Sequence, residues 1–175
     1  KEQLEEQHWP FSVVFESEPN SIVYDTVGRP LVQSSISGYN ATLICYGQTG
    51  SGKTYTIGEA KRVGSVHEGV AHRMVRNLYQ CIAVDRAHTF EVAVQYIQVY
   101  DERLYDLLGD DTDDDGGGGS EFNCTQRGRL PLKLREGATE GVYIQGATQE
   151  PAGNAEVALS LLTAGSSRLA FASTN

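Results

Sequence analysis

Gly47-Gln48-Thr49-Gly50-Ser51-Gly52-Lys53-Thr54 fits the pattern G-x-x-x-x-G-K-[ST] at every fixed position. The spacing has a chemical reason. Gly50 and Gly52 carry no Cβ, so the backbone there can take positive φ and come close to phosphate oxygens. Successive N–H groups then converge on one concavity that holds an anion. A helix opening near Gly52 adds the positive end of its dipole. The Lys53 ammonium reaches the β- and γ-phosphates, and the Thr54 hydroxyl is placed to ligate Mg²⁺. Upstream, Thr42-Leu43-Ile44-Cys45-Tyr46 is short, apolar and β-prone, and reads as a buried strand feeding the loop. A Gly-rich turn before an ordinary helix would carry the same eight letters; the strand in front is what separates the two readings.

The bulk properties bound what surrounds this loop. The 175 residues suffice for one domain with a real core. Hydrophobic residues make up 39% and charged residues 21%, the proportions of a soluble globular protein. No apolar run reaches membrane-spanning length, and Lys1 to Gln7 is charged with no signal-peptide pattern. Cys45, Cys81 and Cys124 are an odd number without C-x-x-C spacing, which points to a reducing, intracellular setting rather than a disulfide framework or zinc site. His8, His67, His72 and His88 are scattered and are expected on the surface or in loops, not as metal ligands.

The net charge of −9 is concentrated in one place. Asp110, Asp111, Asp113, Asp114, Asp115 and Glu121 supply six of the excess negative charges, and Gly116 to Gly119 lie among them. Residues 109–129 are therefore expected as an acidic, Gly-rich mobile loop, a solvated insertion rather than a calcium site. No basic patch interleaved with aromatics appears, which argues against nucleic acid as a partner.

The pattern of elements is α/β. Strands are expected at Phe11 to Phe15, Thr42 to Tyr46 and Phe90 to Tyr100, with a hairpin from Leu130 to Leu134 and Gly141 to Gly146. Helices are expected from Arg29, with Pro30 in the first turn and Gly38 as the cap, and from Lys53 to about Gly58. Two more are expected over Val70 to Val84 and after the N-cap Asn154, with a short helical turn at Leu104 to Leu108. Interleaving of this kind predicts helices on both faces of one sheet. Asp106, after an apolar strand, has the look of a second Mg²⁺-associated acid, but Leu107-Leu108 follow it instead of a Gly-containing turn.

The longer run from Gly38-Tyr39-Asn40-Ala41-Thr42 through Tyr46-Gly47-Gln48-Thr49 to Lys53-Thr54-Tyr55-Thr56 resembles the nucleotide loop of the kinesin motor domain. Kinesins there read G-Y-N-x-T, then Y-G-Q-T-x-S-G-K-T, then an aromatic residue or His, then Thr. Val23-Tyr24 with Pro30-Leu31-Val32 is similar to the segment before the first large kinesin helix. Gly69-Val70-Ala71-His72-Arg73 stands where kinesins usually have G-[IV]-[IV]-P-R, with His72 in place of Pro. Gln98-Val99-Tyr100-Asp101-Glu102 with Tyr105-Asp106-Leu107-Leu108 looks like E-I-Y-N-E…Y-D-L-L. Arg135-Glu136 with Gly141-Val142-Tyr143-Ile144-Gln145-Gly146 is similar to the next hairpin. Ser167-Arg168 and Ala172-Ser173-Thr174-Asn175 look like the helix leading into switch I. Nearly the whole chain, residues 1–175, is covered.

The resemblance implies a P-loop NTPase-type three-layer sandwich: a mixed central sheet with helices on both faces, here incomplete. It implies an ATP-driven microtubule motor, an enzyme that couples ATP hydrolysis to movement along or remodelling of microtubules, at the cytoskeleton in the cytoplasm. The cofactors implied are ATP and Mg²⁺. Gly47, Gln48, Thr49, Gly50, Ser51, Gly52, Lys53 and Thr54 would hold the phosphates. Thr54 would bind Mg²⁺, Lys53 would neutralise charge, and Tyr55 would stack on adenine. Neither the R-x-R-P of kinesins nor their switch motifs N-x-x-S-S-R-S-H and D-x-A-G occur in the sequence. The 175 residues alone are therefore expected to be inactive, and assembly into oligomers to depend on regions outside them. The alternative expectation is a kinesin-like pseudo-motor, a scaffold that binds nucleotide or microtubules without turnover. The hairpin near Ala138 offers tubulin only Lys133 and Arg135 as nearby positive charges.

Overall fold

A proline inside a helix shapes the first large element. In the computed structural model, which describes residues 8–58, 62–100, 102–109, 132–138 and 141–169, the chain is helical from Asn20 to Ile36 in three consecutive pieces. These are α1 (Asn20–Val23), a π-helical turn (Tyr24–Gly28) and α2 (Arg29–Ile36). Pro30 has no N–H for the Thr26 carbonyl, and its ring would collide with that oxygen. Widening the helix by one residue over Tyr24–Gly28 removes the collision. Pro30 thus lies inside a longer helix, which corrects the expected start at Arg29. Gly38 ends the segment as its sequence suggests. Its φ is +90°, and the amides of Gly38 and Tyr39 return to the Ser35 and Ser34 carbonyls, each at 3.0 Å.

Next along the chain come α3 (Lys53–Ile57) and α4 (Val70–Val84), both over the residues their sequence marks out. Helix α4 crosses the π-helical turn at Gly28, where an added Cβ would lie 2.9 Å from Tyr24 Cδ2 and 3.1 Å from both Met74 Cγ and Val70 Cγ1. Tyr24, Val32 and Val70 are buried. The last helix, α5 (Ala155–Ser167), opens on Asn154, whose Oδ1 accepts the Val157 amide at 2.9 Å. It packs against α4 and buries Ala158 and Leu159.

The described strands pair as three antiparallel ladders of two. In the first, β1 (Ala93–Val94) lies beside β6 (Glu150–Pro151), with Ala93 opposite Pro151. In the second, β2 (Ile97–Tyr100) and β3 (Arg103–Asp106) form a hairpin with Ile97 opposite Asp106. In the third, β4 (Lys133–Gly137) and β5 (Gly141–Gln145) form the hairpin expected near Leu134 and Gly141. Helices and strands interleave, so the α/β class stands.

Several element-level expectations are corrected. Leu104 and Tyr105 are strand residues opposite Val99 and Gln98, not a helical turn; pairing with an apolar, β-branched strand outweighs their local helix tendency. The runs Phe11 to Phe15 and Thr42 to Tyr46 join no ladder among the described residues. A strand exists only through its partner, and none of the described strands is hydrogen-bonded in a ladder to either run. Ile44 is 79% exposed and Tyr46 97%, so the second run is not buried as expected. The acidic stretch beyond Gly109 and the residues from Ala172 to Asn175 lie outside the described residues. Among the described residues, no helix is long and apolar enough to cross a membrane.

Candidate functional site

The loop Gly47 to Gly52 leads straight into α3. Gly50 and Gly52 stand at φ +81° and +92°, the left-handed region that side-chain-bearing residues avoid. A Cβ added at either would meet nothing within 4 Å, so the space above the loop is open. The Ser51 amide donates to the Gln48 carbonyl at 3.2 Å and closes the turn. Lys53 folds back over this turn. Its Nζ donates to the carbonyl oxygens of Gly47 and Gln48, both at 2.7 Å. The ammonium therefore lies against the loop, and Thr54 is exposed. Helix α3 is only five residues long, so loop amides and the Lys53 ammonium outweigh its dipole as an anion grip.

Contacts with α1 and with the residue before α4 hold α3 in place. Asn20, 2% exposed at the start of α1, donates from Nδ2 to the Tyr55 carbonyl at 3.0 Å. The Gly58 amide closes the last turn on the Thr54 carbonyl at 3.0 Å. Gly58 then meets the residue before α4 almost backbone to backbone: a Cβ added at Gly69 would fall 2.1 Å from Gly58 Cα. Sequence reasoning missed Asn20. Its burial and its partner belong to the fold, and no local pattern around Pro19 announces them.

Tyr55 lies beside the loop with partners of its own. Its hydroxyl is 3.3 Å from His67 Nδ1, and the Arg62 guanidinium lies 5.3 Å from its ring centroid. Any flat ligand on this ring shares it with Arg62.

The expectation that all four histidines are surface residues fails at His72. It is 3% exposed, beside Glu68 at 5%. Burial pushes the His72 imidazole below its ordinary pKa; the Glu68 carboxylate pulls the other way and Arg76 adds to the depression. Glu68 accepts the Gly64 amide at 2.9 Å and Arg76 Nε at 3.2 Å. His88, by contrast, is an exposed partner of Asp85 at 3.0 Å.

Asp106 lies apart from the loop's own hydrogen bonds and serves the backbone. Its Oδ1 accepts the amides of Leu108 and Gly109 at 2.9 and 3.1 Å, and its Oδ2 accepts the Thr148 amide at 2.6 Å. Arg168, directly after α5, donates to the carbonyls of Leu107 and Gly109 in the same turn, both at 3.0 Å. Among the described residues no cluster of three His, Cys, Asp or Glu could hold a metal. Cys45 and Cys81 are free thiols, and burial pushes the Cys45 thiol up.

Comparisons with known proteins converge. The family model "Kinesin motor domain" matches residues 1–175. Kinesin-like protein KIN-4C of Oryza sativa subsp. japonica is 32% identical over 159 residues, 90% of this chain and 12% of that protein. Kinesin-like protein KIF9 of Homo sapiens is 32% identical over 167 residues, 94% of this chain and 20% of that protein. Kinesin-like protein KIF27 of Mus musculus is 51% identical over a shorter 89 residues. Among solved structures, the KIF14[391-772] dimer in its two-heads-bound state, with AMP-PNP and in complex with a microtubule, is similar at TM-score 0.68 and 28% identity. That match covers 86% of this chain and 38% of the other. The chain thus spans a fifth or less of the length of these curated relatives.

Proposed function

The chain belongs to the kinesin motor family, and from that premise we propose that it is the ATP-holding part of a motor ATPase that couples hydrolysis to movement along, or remodelling of, microtubules. One observation carries the reading: two left-handed glycines, Gly50 and Gly52, bracket an open loop against which the Lys53 ammonium already lies. In this reading the amides from Gln48 to Thr54 take the phosphate oxygens. Lys53 leaves its carbonyls to neutralise the β- and γ-phosphates, and Thr54 gives its hydroxyl to Mg²⁺. The ion, when bound, supplies charge neutralisation on the transferring phosphoryl group. Asn20 and Gly58 hold the helix that carries both residues. Tyr55 offers a ring to adenine on the side that Arg62 leaves free. The place of work is the cytoskeleton, with tubulin as partner.

The decisive measurement is microtubule-stimulated ATPase of the motor with Lys53→Ala beside wild type. A loss on the order of a hundredfold is expected, the scale of removing one preorganised charge-stabilising donor. Equal rates would overturn the assignment of Lys53. The 175 residues contain neither switch motif of the family, so by themselves they are proposed to hold Mg-nucleotide without turning it over. Phosphate release by the chain alone at a motor's rate would refute that.

A further inference from the structure

His72 occupies the third position of α4 and closes the seam through which α3 is held. Its ring lies against Gly58 so tightly that a Cβ there would be 2.4 Å from both Cε1 and Nδ1. The Nδ1 atom is buried and has no hydrogen-bond partner. Gly58 is the residue whose amide finishes α3, and Lys53 and Thr54 are the first residues of that helix. The seam is one helix length from the phosphate loop.

We propose that His72 is a positioning residue for the phosphate loop: its neutral ring fixes the Gly58 end of α3 against α4, and its protonation releases that end and weakens nucleotide binding. The proposal rests on the nucleotide-binding reading above. A neutral imidazole tolerates this place at the cost of one unsatisfied nitrogen. An imidazolium adds a charge and a second obligatory donor in a buried seam, which is far costlier. The charged groups acting on it are Glu68, from the preceding loop, and Arg76, one turn along α4. Glu68 is already engaged by the Gly64 amide and by Arg76, so its carboxylate is shared. At the end of α3, its cap residue Gly58 faces the ring and brings no charge. The lowered pKa of His72, caused first by burial, agrees with a site built for the neutral form. His67, the other imidazole near the site, is exposed and held by the Tyr55 hydroxyl, so a control must retain it.

Two readouts test this. The first needs no nucleotide. The amides of Thr56 and Gly58 are bonded to Gly52 and Thr54 carbonyls, and their hydrogen exchange is followed from pH 7.5 to 5.5, corrected for intrinsic rates. Protection in the wild type is expected to fall with pH, by up to about tenfold per pH unit. In His72→Gln, which cannot gain the charge, it should stay level. The second is the affinity for a fluorescent ADP analogue over the same range, each protein normalised to its own value at pH 7.5. The wild type should weaken more steeply than His72→Gln, and superimposable profiles in either readout would overturn the proposal. Should His72→Gln fail to fold, His72→Pro replaces it, since the first turn of a helix tolerates proline. Absence of any ADP binding at pH 7.5 would instead strike the nucleotide reading, while the exchange data would still judge His72.

Discussion

Asp106 shows how a single carboxylate can be taken for chemistry and turn out to be architecture. Burial pushes its carboxyl up, but hydrogen bonds from Thr148, Leu108 and Gly109 outweigh burial and leave it below the ordinary carboxylate value. The sign follows. A depressed pKa means that the unfolded chain binds the proton first as pH falls. The stabilisation is therefore full above the unfolded value near 3.8 and is lost as pH drops through the folded value. Asp106→Asn should cost about 1–3 kcal/mol at pH 7, because the amide nitrogen meets N–H donors where an acceptor is needed. Urea unfolding at pH 7 and pH 3 checks this: the gap between variant and wild type should shrink at the lower pH, and a constant gap would refute the assignment. The same residue explains part of what the sequence could convey. Its position after an apolar strand was readable, but its three amide partners come from Leu108, Gly109 and the distant Thr148, and no local pattern encodes the last of these.

At the scale of elements, close approach decides more than propensity. Gly165 is a helix-interior glycine, which alone costs about 1 kcal/mol against alanine. Yet a Cβ there would fall 2.0 Å from Tyr96 Cδ1, so the glycine lets α5 lie against the ring whose hydroxyl reaches Ser166 at 3.2 Å. Gly165→Ala should therefore destabilise by about 1–3 kcal/mol despite its better propensity, seen as a lower denaturant midpoint. A rise in midpoint would show that the ring moves aside freely. Elements with a strong internal signal were legible beforehand: α4 through its apolar spacing, α5 through the Asn154 cap and α3 through the glycine loop. Those that depend on a partner were not. Leu104 and Tyr105 became strand because Val99 and Gln98 lie opposite, and the helix start moved to Asn20 because a π-helical turn absorbs Pro30. For the candidate site, the loop from Gly47 to Tyr55 is visible as a motif, whereas Asn20 and His72 act through packing against α3 and leave none.

Over the whole molecule, large apolar side chains face outward in two runs without a ladder. Trp9 is 70% exposed, Phe11 74%, Ile44 79% and Tyr46 97%. Exposed apolar surface of this kind favours association. At micromolar concentration the 175-residue chain should bind the dye ANS and scatter more light than a monomer, and Ile44→Ser should reduce both signals. A dye-silent, monodisperse sample would contradict this. The three ladders share no strand among the described residues, and that has a thermal consequence. Rigidity in a sheet passes sideways through common strands; pairs that stand separately can let go one at a time. Heating the chain should thus draw up energy in instalments, with the calorimetric enthalpy exceeding the van 't Hoff value, where a single cooperative body would make the two equal.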